Sequence, residues 1–351
     1  MGPDSRVGLR TLALVPTLER FAAARPRNER NAVRAFRLVL VLGLVASAYV
    51  FRDFLRRSAL GALEVGWSFV LLFPLFVAWT LAAARAWRAL LSARPRAAVP
   101  GMRRLFVLRT EAAALSFALP AGGIAGDVLR AAGTRSKGGF RSSAPPVVLD
   151  RIAMGLGELA VGYVGLVLYA GTGVEDRWGL SIAAGSLVVL AALLLGWRRL
   201  ASRAAGLRWP RRLRVVPRSL DILLASTTHG QAFRRAVGWH VVERTLVVAE
   251  VWLIARLLGL PLTPSAALLA GGLMTLFGLA AVLLPAQAGA HEGALIVAFE
   301  LAHLPGAAGL SVALVRRARQ LVTTAAGLLL LLREGERTLA TGFPRQRPVE
   351  P

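Results

Sequence analysis

Cysteine is absent from all 351 residues, so the chain can build neither a disulfide framework nor a thiolate metal site. Lysine is almost absent as well: Lys137 is the single one among 43 basic residues, and arginine carries the rest of the positive charge. Acidic residues are scarce, 19 against those 43, which leaves a formal net charge of +24. In a soluble protein that imbalance points to nucleic acid. The basic clusters here lack the interleaved aromatics on which single-stranded bases stack. Enzyme motifs are missing too: there is no Gly-rich phosphate loop, no Gly-x-Ser-x-Gly elbow and no paired-aspartate cluster of the prenyltransferase kind. His291-Glu292 opens like a zinc-protease helix, but Leu295 stands where the second ligand belongs. His240 and Glu243, three apart, have no evident third metal ligand, so the pair reads as a helix contact. No metal and no cofactor is expected, and the chain is read as non-enzymatic.

What the chain has in quantity is apolar sequence, 56% of residues, with a mean hydropathy of +0.58. Val65–Ala84 and Trp178–Trp197 are uncharged for the length of a bilayer-crossing helix, and Leu257–Ala290 is too long for one ordinary crossing. The fold class read from this is all-α: a polytopic helical membrane protein with about seven or eight transmembrane helices. Helices are expected near 38–54, 65–91, 147–172, 179–198, 238–258, 264–284 and 311–332. A basic N-terminal segment (1–37) precedes one transmembrane domain (38–332), and a short basic, Pro-containing tail (333–351) follows.

The arginines then mark the cytoplasmic side. Dense Arg before residue 38, in Arg85–Arg109, in Arg198–Arg218 and after Arg333 obeys the positive-inside rule. Both termini and the 198–218 loop are expected in the cytoplasm, and no cleaved signal peptide is expected. Linkers 172–177 and 259–264 face outward. The 52–64 linker is the outer loop that departs from the rule, with Arg52, Arg56 and Arg57 only partly offset by Asp53 and Glu64.

Two segments, 105–133 and 285–310, do not fit as simple crossings. Both flanks of the first are basic, so a single crossing would put one basic flank outside. A re-entrant hairpin turning at Pro120–Gly123 satisfies both. Its exposed backbone groups are tolerable only when buried in protein or lining a wet cavity. The second segment, near 285–304, repeats the same grammar of Leu-Pro, small residues and an acid. Pro120 precedes Asp127 by the same seven residues that separate Pro285 from Glu292. Broken segments at matching places in two halves point to an internal inverted repeat with a site between the halves. Gly122, Gly126 and Gly289 complete the two turns.

Charged residues at membrane depth are costly and ordinarily face an interior or a partner. Asp127 and Arg130 lie at i,i+3, close enough to pair. Asp150 and Arg151 open the next helix, and Arg151 and Glu158, seven apart, align within about 20°. Glu243 and Glu250 share that spacing. Glu292 and His303, eleven apart, also align, with Glu300 to one side. Asp150–Arg151 and Glu243–Arg244 read equally well as ties between helices, and Glu300 with His303 as an outer-interface pair. Asp127, Arg130 and Glu292 follow broken helices, whose dipole and free amides suit an anionic group such as phosphate.

With those residues in view, the chain resembles the flippase-like transmembrane family named after bacterial lysylphosphatidylglycerol synthases, over roughly 38–332. AARAWRALLSAR (Ala83–Arg94) resembles the family's Arg/Trp-rich end of the second span. LPAGGIAGDVLRA resembles its Pro…Gly-Asp/Glu-x-x-Arg element and places Gly126, Asp127 and Arg130. VVLDRIAMGLGEL resembles the following helix start and places Asp150 and Arg151. LPAQAGAHEGAL resembles its Pro-x-x-x-Gly-x-x-Glu element and places Pro285, Gly289 and Glu292. VALVRRARQLV resembles the late Arg-bearing helix, with Arg316 or Arg317 in that role. His291 stands where Arg is common, and Ala286–Gln287 replaces a frequent glycine pair; these departures bear on the head group. The resemblance implies movement of a lipid, an anionic phospholipid or a polyprenyl-phosphate-linked one, between leaflets of the cytoplasmic membrane. Asp127, Arg130, Asp150, Arg151, Glu292 and Arg317 would bind it. Some members carry a fused transferase domain, which is not expected in these 351 residues. Two other readings stay open: an integral-membrane enzyme using Asp127 or Glu292 as general base, and an accessory subunit that recruits a separate envelope-biosynthesis enzyme.

Overall fold

In a computed structural model of the chain, residues 52–93, 99–119, 122–134, 139–171, 227–280, 287 and 289–341 are described. Among them every regular element is helical and there is no strand. The expected spans at 179–198 and, apart from its last three residues, at 38–54 lie outside the described residues. So do the 198–218 loop, Pro120 and Pro285.

The first element among the described residues is α1 (Arg52–Val65), where an outer loop was expected. The residues explain the difference: Arg, Leu, Ala and Glu are good helix formers and no proline interrupts them. A left-handed Gly66 (φ 61°) and a 3-10 turn over Gly66–Leu71 then lead into α2 (Leu72–Ser92). Pro74 sits in the first turn of α2, where a missing N–H leaves no bond unmade. The stretch Arg56–Ser92 is long and apolar enough to cross a membrane, and so is Ser143–Ala170.

Next come α3 (Met102–Ala118) and α4 (Gly122–Gly133), then α5 (Gly139–Ala170), α6 (Thr227–Leu257) and α7 (Pro264–Ala280). The last two are α8 (Ala290–Leu301) and α9 (Gly306–Thr341). Several run beyond the ranges expected from sequence. α5 begins before Pro145–Pro146 and continues through both. Each proline forfeits one backbone bond, yet its fixed φ is itself helical, so the pair does not end the helix. Asp150 and Arg151 therefore lie well inside α5 and do not open it.

The segments expected to break do so. α3 ends at an extended Leu119, and α3 and α4 pack side by side. A Cβ on Gly126 would stand 2.5 Å from Ser116 Oγ and 2.6 Å from the Ala112 carbonyl oxygen, so only glycine lets them approach. α4 and α8 have 12 residues each, about 18 Å of helix against a hydrocarbon core of about 30 Å. Gly289 caps α8 with φ 83°, a left-handed conformation that other residues adopt only under strain.

Packing follows membrane rules, in which small residues let helices meet closely. α5 crosses α7 at Gly162 and Gly272, and Gly165 lies against Leu268. A core of Val251, Ile254, Met274, Leu295, Phe299 and Val312 joins α6, α7, α8 and α9. Val164, Val167 and Leu168 on α5 and Leu329 on α9 stay exposed, an apolar outer face suited to lipid. A Cβ on Gly162 would fall 2.8 Å from Gly272 Cα, so Gly162→Ala is expected to destabilise by about 1–3 kcal/mol through overpacking. A thermal midpoint in detergent equal to that of the parent chain would refute this.

Candidate functional site

Asp150 is the centre of the first polar network. It is 1% exposed and receives a hydrogen bond from each of three helices. Arg109 of α3 donates through Nη1 at 2.7 Å, Arg130 of α4 through Nη1 at 2.5 Å, and His240 of α6 approaches through Nε2 at 3.0 Å. Arg130 also donates Nη2 to Asp127 Oδ1 at 2.6 Å and lies over the Trp87 ring at 5.1 Å. Arg151, 41% exposed, donates Nε to both oxygens of Asp127 and Nη2 to the Gly123 carbonyl. His240 Nδ1 hydrogen bonds Glu243, and Arg109 Nη2 stands 4.0 Å from the same carboxylate. Both imidazole nitrogens are therefore engaged, which leaves none to ligate a metal or take a substrate proton.

The second network joins α5 to α9. Arg317 holds Glu292 as a fork, Nε to Oε1 at 2.5 Å and Nη2 to Oε2 at 3.2 Å, and reaches the Gln287 carbonyl and Gln320. Glu250, fully buried on α6, is shared by two arginines. Arg319 meets it through Nε and Nη2 while lying 5.4 Å from the Phe76 ring, and Arg316 meets it through Nε alone at 3.4 Å. Arg244 faces Glu158 at 3.6 Å and donates to Thr275 and the Gly271 carbonyl. Buried carboxylates at these positions are tolerable because each is paired and hydrogen bonded.

Between the networks lies a cavity of about 180 Å³. Its polar lining includes Glu158, Glu243, Arg244, Arg316 and Arg319, and its apolar lining includes Phe76, Trp79 and Phe117. Aromatic walls with convergent ionic groups are the ordinary composition of a binding site.

Of the six candidate residues, Asp127, Arg130, Asp150 and Arg151 meet in the first network, and Glu292 and Arg317 meet in the second. They do not form one cluster. The acid after each broken segment is bound by an arginine on the next helix, 24 residues later for Asp127 with Arg151 and 25 for Glu292 with Arg317. Some alignments are corrected. Arg130 lies in the last turn of α4, away from the helix N-terminus, so the amides there do not serve it. Glu292 does lie in the first turn of α8, where the dipole favours an acid. His303 cannot align with Glu292, because α8 stops at Leu301 and His303 adopts φ 56° in the following turn. Arg151 turns to Asp127 and leaves Glu158 to Arg244.

Sequence reasoning missed Arg109 and His240 as members of the site. Arg109 looked like one more arginine of a basic flank, and its partner is 41 residues away. His240 carried a usable signal, a lone imidazole three residues before an acid inside an apolar helix.

Compared with known proteins, residues 30–327 match the family described as the lysylphosphatidylglycerol synthase TM region. No curated protein and no solved structure matches the chain. The match spans most of the sequence and agrees with the all-helical fold and its membrane-length helices. The chain belongs to the lysylphosphatidylglycerol synthase transmembrane family and is a helical membrane protein of lipid-related function.

Proposed function

We infer that the protein binds a phosphate-bearing lipid of the cytoplasmic membrane and moves it between leaflets without covalent chemistry. The observation that carries this reading is the cavity bordered by Arg244, Arg316 and Arg319 together with Glu158 and Glu243. Guanidinium forks pair with phosphate oxygens through two bonds and stay charged at any working pH. Carboxylates in the same lining, Glu158 and Glu243, keep the site from holding its anion too tightly to release. The short helices α4 and α8 act as re-entrant elements, and the matched pairs Asp127–Arg151 and Glu292–Arg317 reflect an inverted repeat. The enzyme alternative is less favoured because His240, the imidazole lining the cavity, has both nitrogens engaged.

Both termini lie in the cytoplasm in this scheme. A reporter fused after Gly206 should score as cytoplasmic, and an extracytoplasmic signal would invert the orientation. Transfer itself is tested in proteoliposomes carrying a fluorescent phospholipid in both leaflets, with a membrane-impermeant reductant added outside. The protein should let bleaching proceed past the outer-leaflet fraction. A plateau equal to that of protein-free vesicles, for phospholipid and polyprenyl phosphate alike, would rule translocation out.

A further inference from the structure

We propose that Glu158 is a proton-binding site coupled to the lipid: a phosphate entering the cavity takes Arg244 from Glu158, and the carboxylate so released takes up one proton from water. This rests on the lipid-binding reading above and adds an energy source to it, because a lipid that binds together with a proton can be driven by a proton gradient. The buried acids are not held alike. Asp127, Asp150, Glu250 and Glu292 each accept hydrogen bonds from guanidinium groups, and Glu243 meets His240 Nδ1. Glu158 accepts none among the described residues. Its ion pair there is with Arg244 Nη1 at 3.6 Å, beyond hydrogen-bond length, and its side chain keeps 24% exposure where it lines the cavity.

Arg244 does not depend on that carboxylate for its place. Its Nη2 donates to the Gly271 carbonyl and to Thr275 Oγ1, so the cation stays put when the anion before it changes. The other charges around Glu158 are committed. On α6, His240 is held by Asp150 and Glu243. On α9, Arg316 and Arg319 share the cavity lining but lie against Glu250. On α5 itself, Asp150 and Arg151 belong to the first network. α7, packed along α5, contains no titratable residue. α2 and α4 carry Arg85, Arg88, Asp127 and Arg130, and α3 carries buried Glu111; none of these lines the cavity.

A carboxylate at membrane depth keeps its charge only while a cation faces it. With a phosphate on Arg244, Glu158 loses that cation and gains a second anion beside it, with Glu243 already in the same lining. Protonation removes the repulsion: the carboxylate becomes a carboxylic acid, and the hydronium that supplied the proton becomes water. When the phosphate leaves, Arg244 faces Glu158 again and the proton returns to solvent. The cavity is polar and, at 180 Å³, roomy enough for the water this exchange needs. Trp79 and Arg244, both in its lining, each hold a buried N–H with no partner among the described residues, as a wetted wall would. Coupling is reciprocal, so protonation of Glu158 strengthens phosphate binding by the factor through which phosphate strengthens protonation. Lipid affinity is therefore greatest at low pH and falls as pH rises.

The test titrates the full-length protein in nonionic detergent with short-chain phosphatidylglycerol, whose phosphodiester keeps one charge throughout. Calorimetry in two buffers of different ionisation enthalpy, at steps from about pH 5 to about pH 9, reads the protons taken up per lipid bound. Uptake should approach one proton at its maximum, and affinity should fall at least tenfold across the range, the effect of one fully linked proton over about one pH unit. Infrared difference spectra should show the carbonyl band of a protonated carboxyl group appearing as lipid is added. Glu158→Gln should bind with no uptake, no pH slope and no such band. Glu158→Asp keeps an acid in place and should retain uptake with the band shifted, which carries the assignment if the Gln variant does not fold. Glu64→Gln, exposed on α1, should behave as the parent. No uptake by the parent at any pH, uptake persisting in Glu158→Gln, or a band unmoved in Glu158→Asp would each overturn the coupling while leaving lipid binding intact. Absence of any binding by the parent chain would overturn the lipid reading itself, and the coupling with it.

Discussion

Asp150→Asn is expected to be the most damaging single-atom change in the chain. One carboxylate oxygen accepts from both Arg109 and Arg130, and the other faces His240. The amide can keep its oxygen toward the arginines and turn its nitrogen to His240, so the hydrogen-bond geometry survives and the charge is what disappears. Arg130 keeps Asp127, but Arg109 is left with Glu243 at 4.0 Å. Stranding a charge in a buried ionic cluster costs about 3–5 kcal/mol, a large part of the stability of an ordinary domain. Arg151→Gln supplies the contrast. That side chain is 41% exposed, and an ion pair so placed contributes about 0–1 kcal/mol. Folded yield and thermal midpoint in detergent should collapse for the first and barely move for the second. Equal behaviour would mean that Asp150 does not hold α3, α4, α5 and α6 together.

This asymmetry bears on what the sequence could reveal. Asp127, Arg130, Asp150 and Arg151 were legible because short spacings and a Pro/Gly break marked them as charges in apolar surroundings. The pairing of Glu292 with an arginine of the last helix was also within reach, since both stand out from uncharged neighbours. What the chain could not disclose was which charges cancel which. Arg109–Asp150, Glu250–Arg319 and Arg244–Glu158 span 41, 69 and 86 residues, and nothing local sets such partnerships. Lipid binding is consequently expected at the motif residues, Arg130 and Arg151 among them, although carboxylates already neutralise these two arginines. Helix ends failed for a different reason. The proline pair at 145–146 and the arginines of 52–57 are breaker and loop signals by composition, yet helical φ values and good helix formers prevailed.

The pair Glu292–Arg317 offers the sharpest separation of structure from transport. Glu292→Gln leaves Arg317, 2% exposed, without its carboxylate, and Arg317→Gln leaves Glu292 in the same position. Each single variant is expected to lose about 3–5 kcal/mol and much of its folded yield. The double variant Glu292→Gln/Arg317→Gln strands neither charge. Two amides of similar size can still hydrogen bond each other, and Gln287 and Gln320 remain as neighbours. Its stability should therefore exceed the additive expectation by up to about 3 kcal/mol, the range found for directly coupled residues. Because that variant folds, its transport is interpretable. If the pair moves apart to let a phosphate pass between the halves, the neutral double variant lacks the charge that draws the phosphate in. Transfer should then fall at least tenfold, equivalent to about 1.4 kcal/mol, at normal yield. If the pair only ties α8 to α9, restored folding should restore transfer with it. Parental transfer rates in the folded double variant would remove Glu292 and Arg317 from the lipid path and leave the cavity arginines, Arg244 and Arg316, to carry it alone.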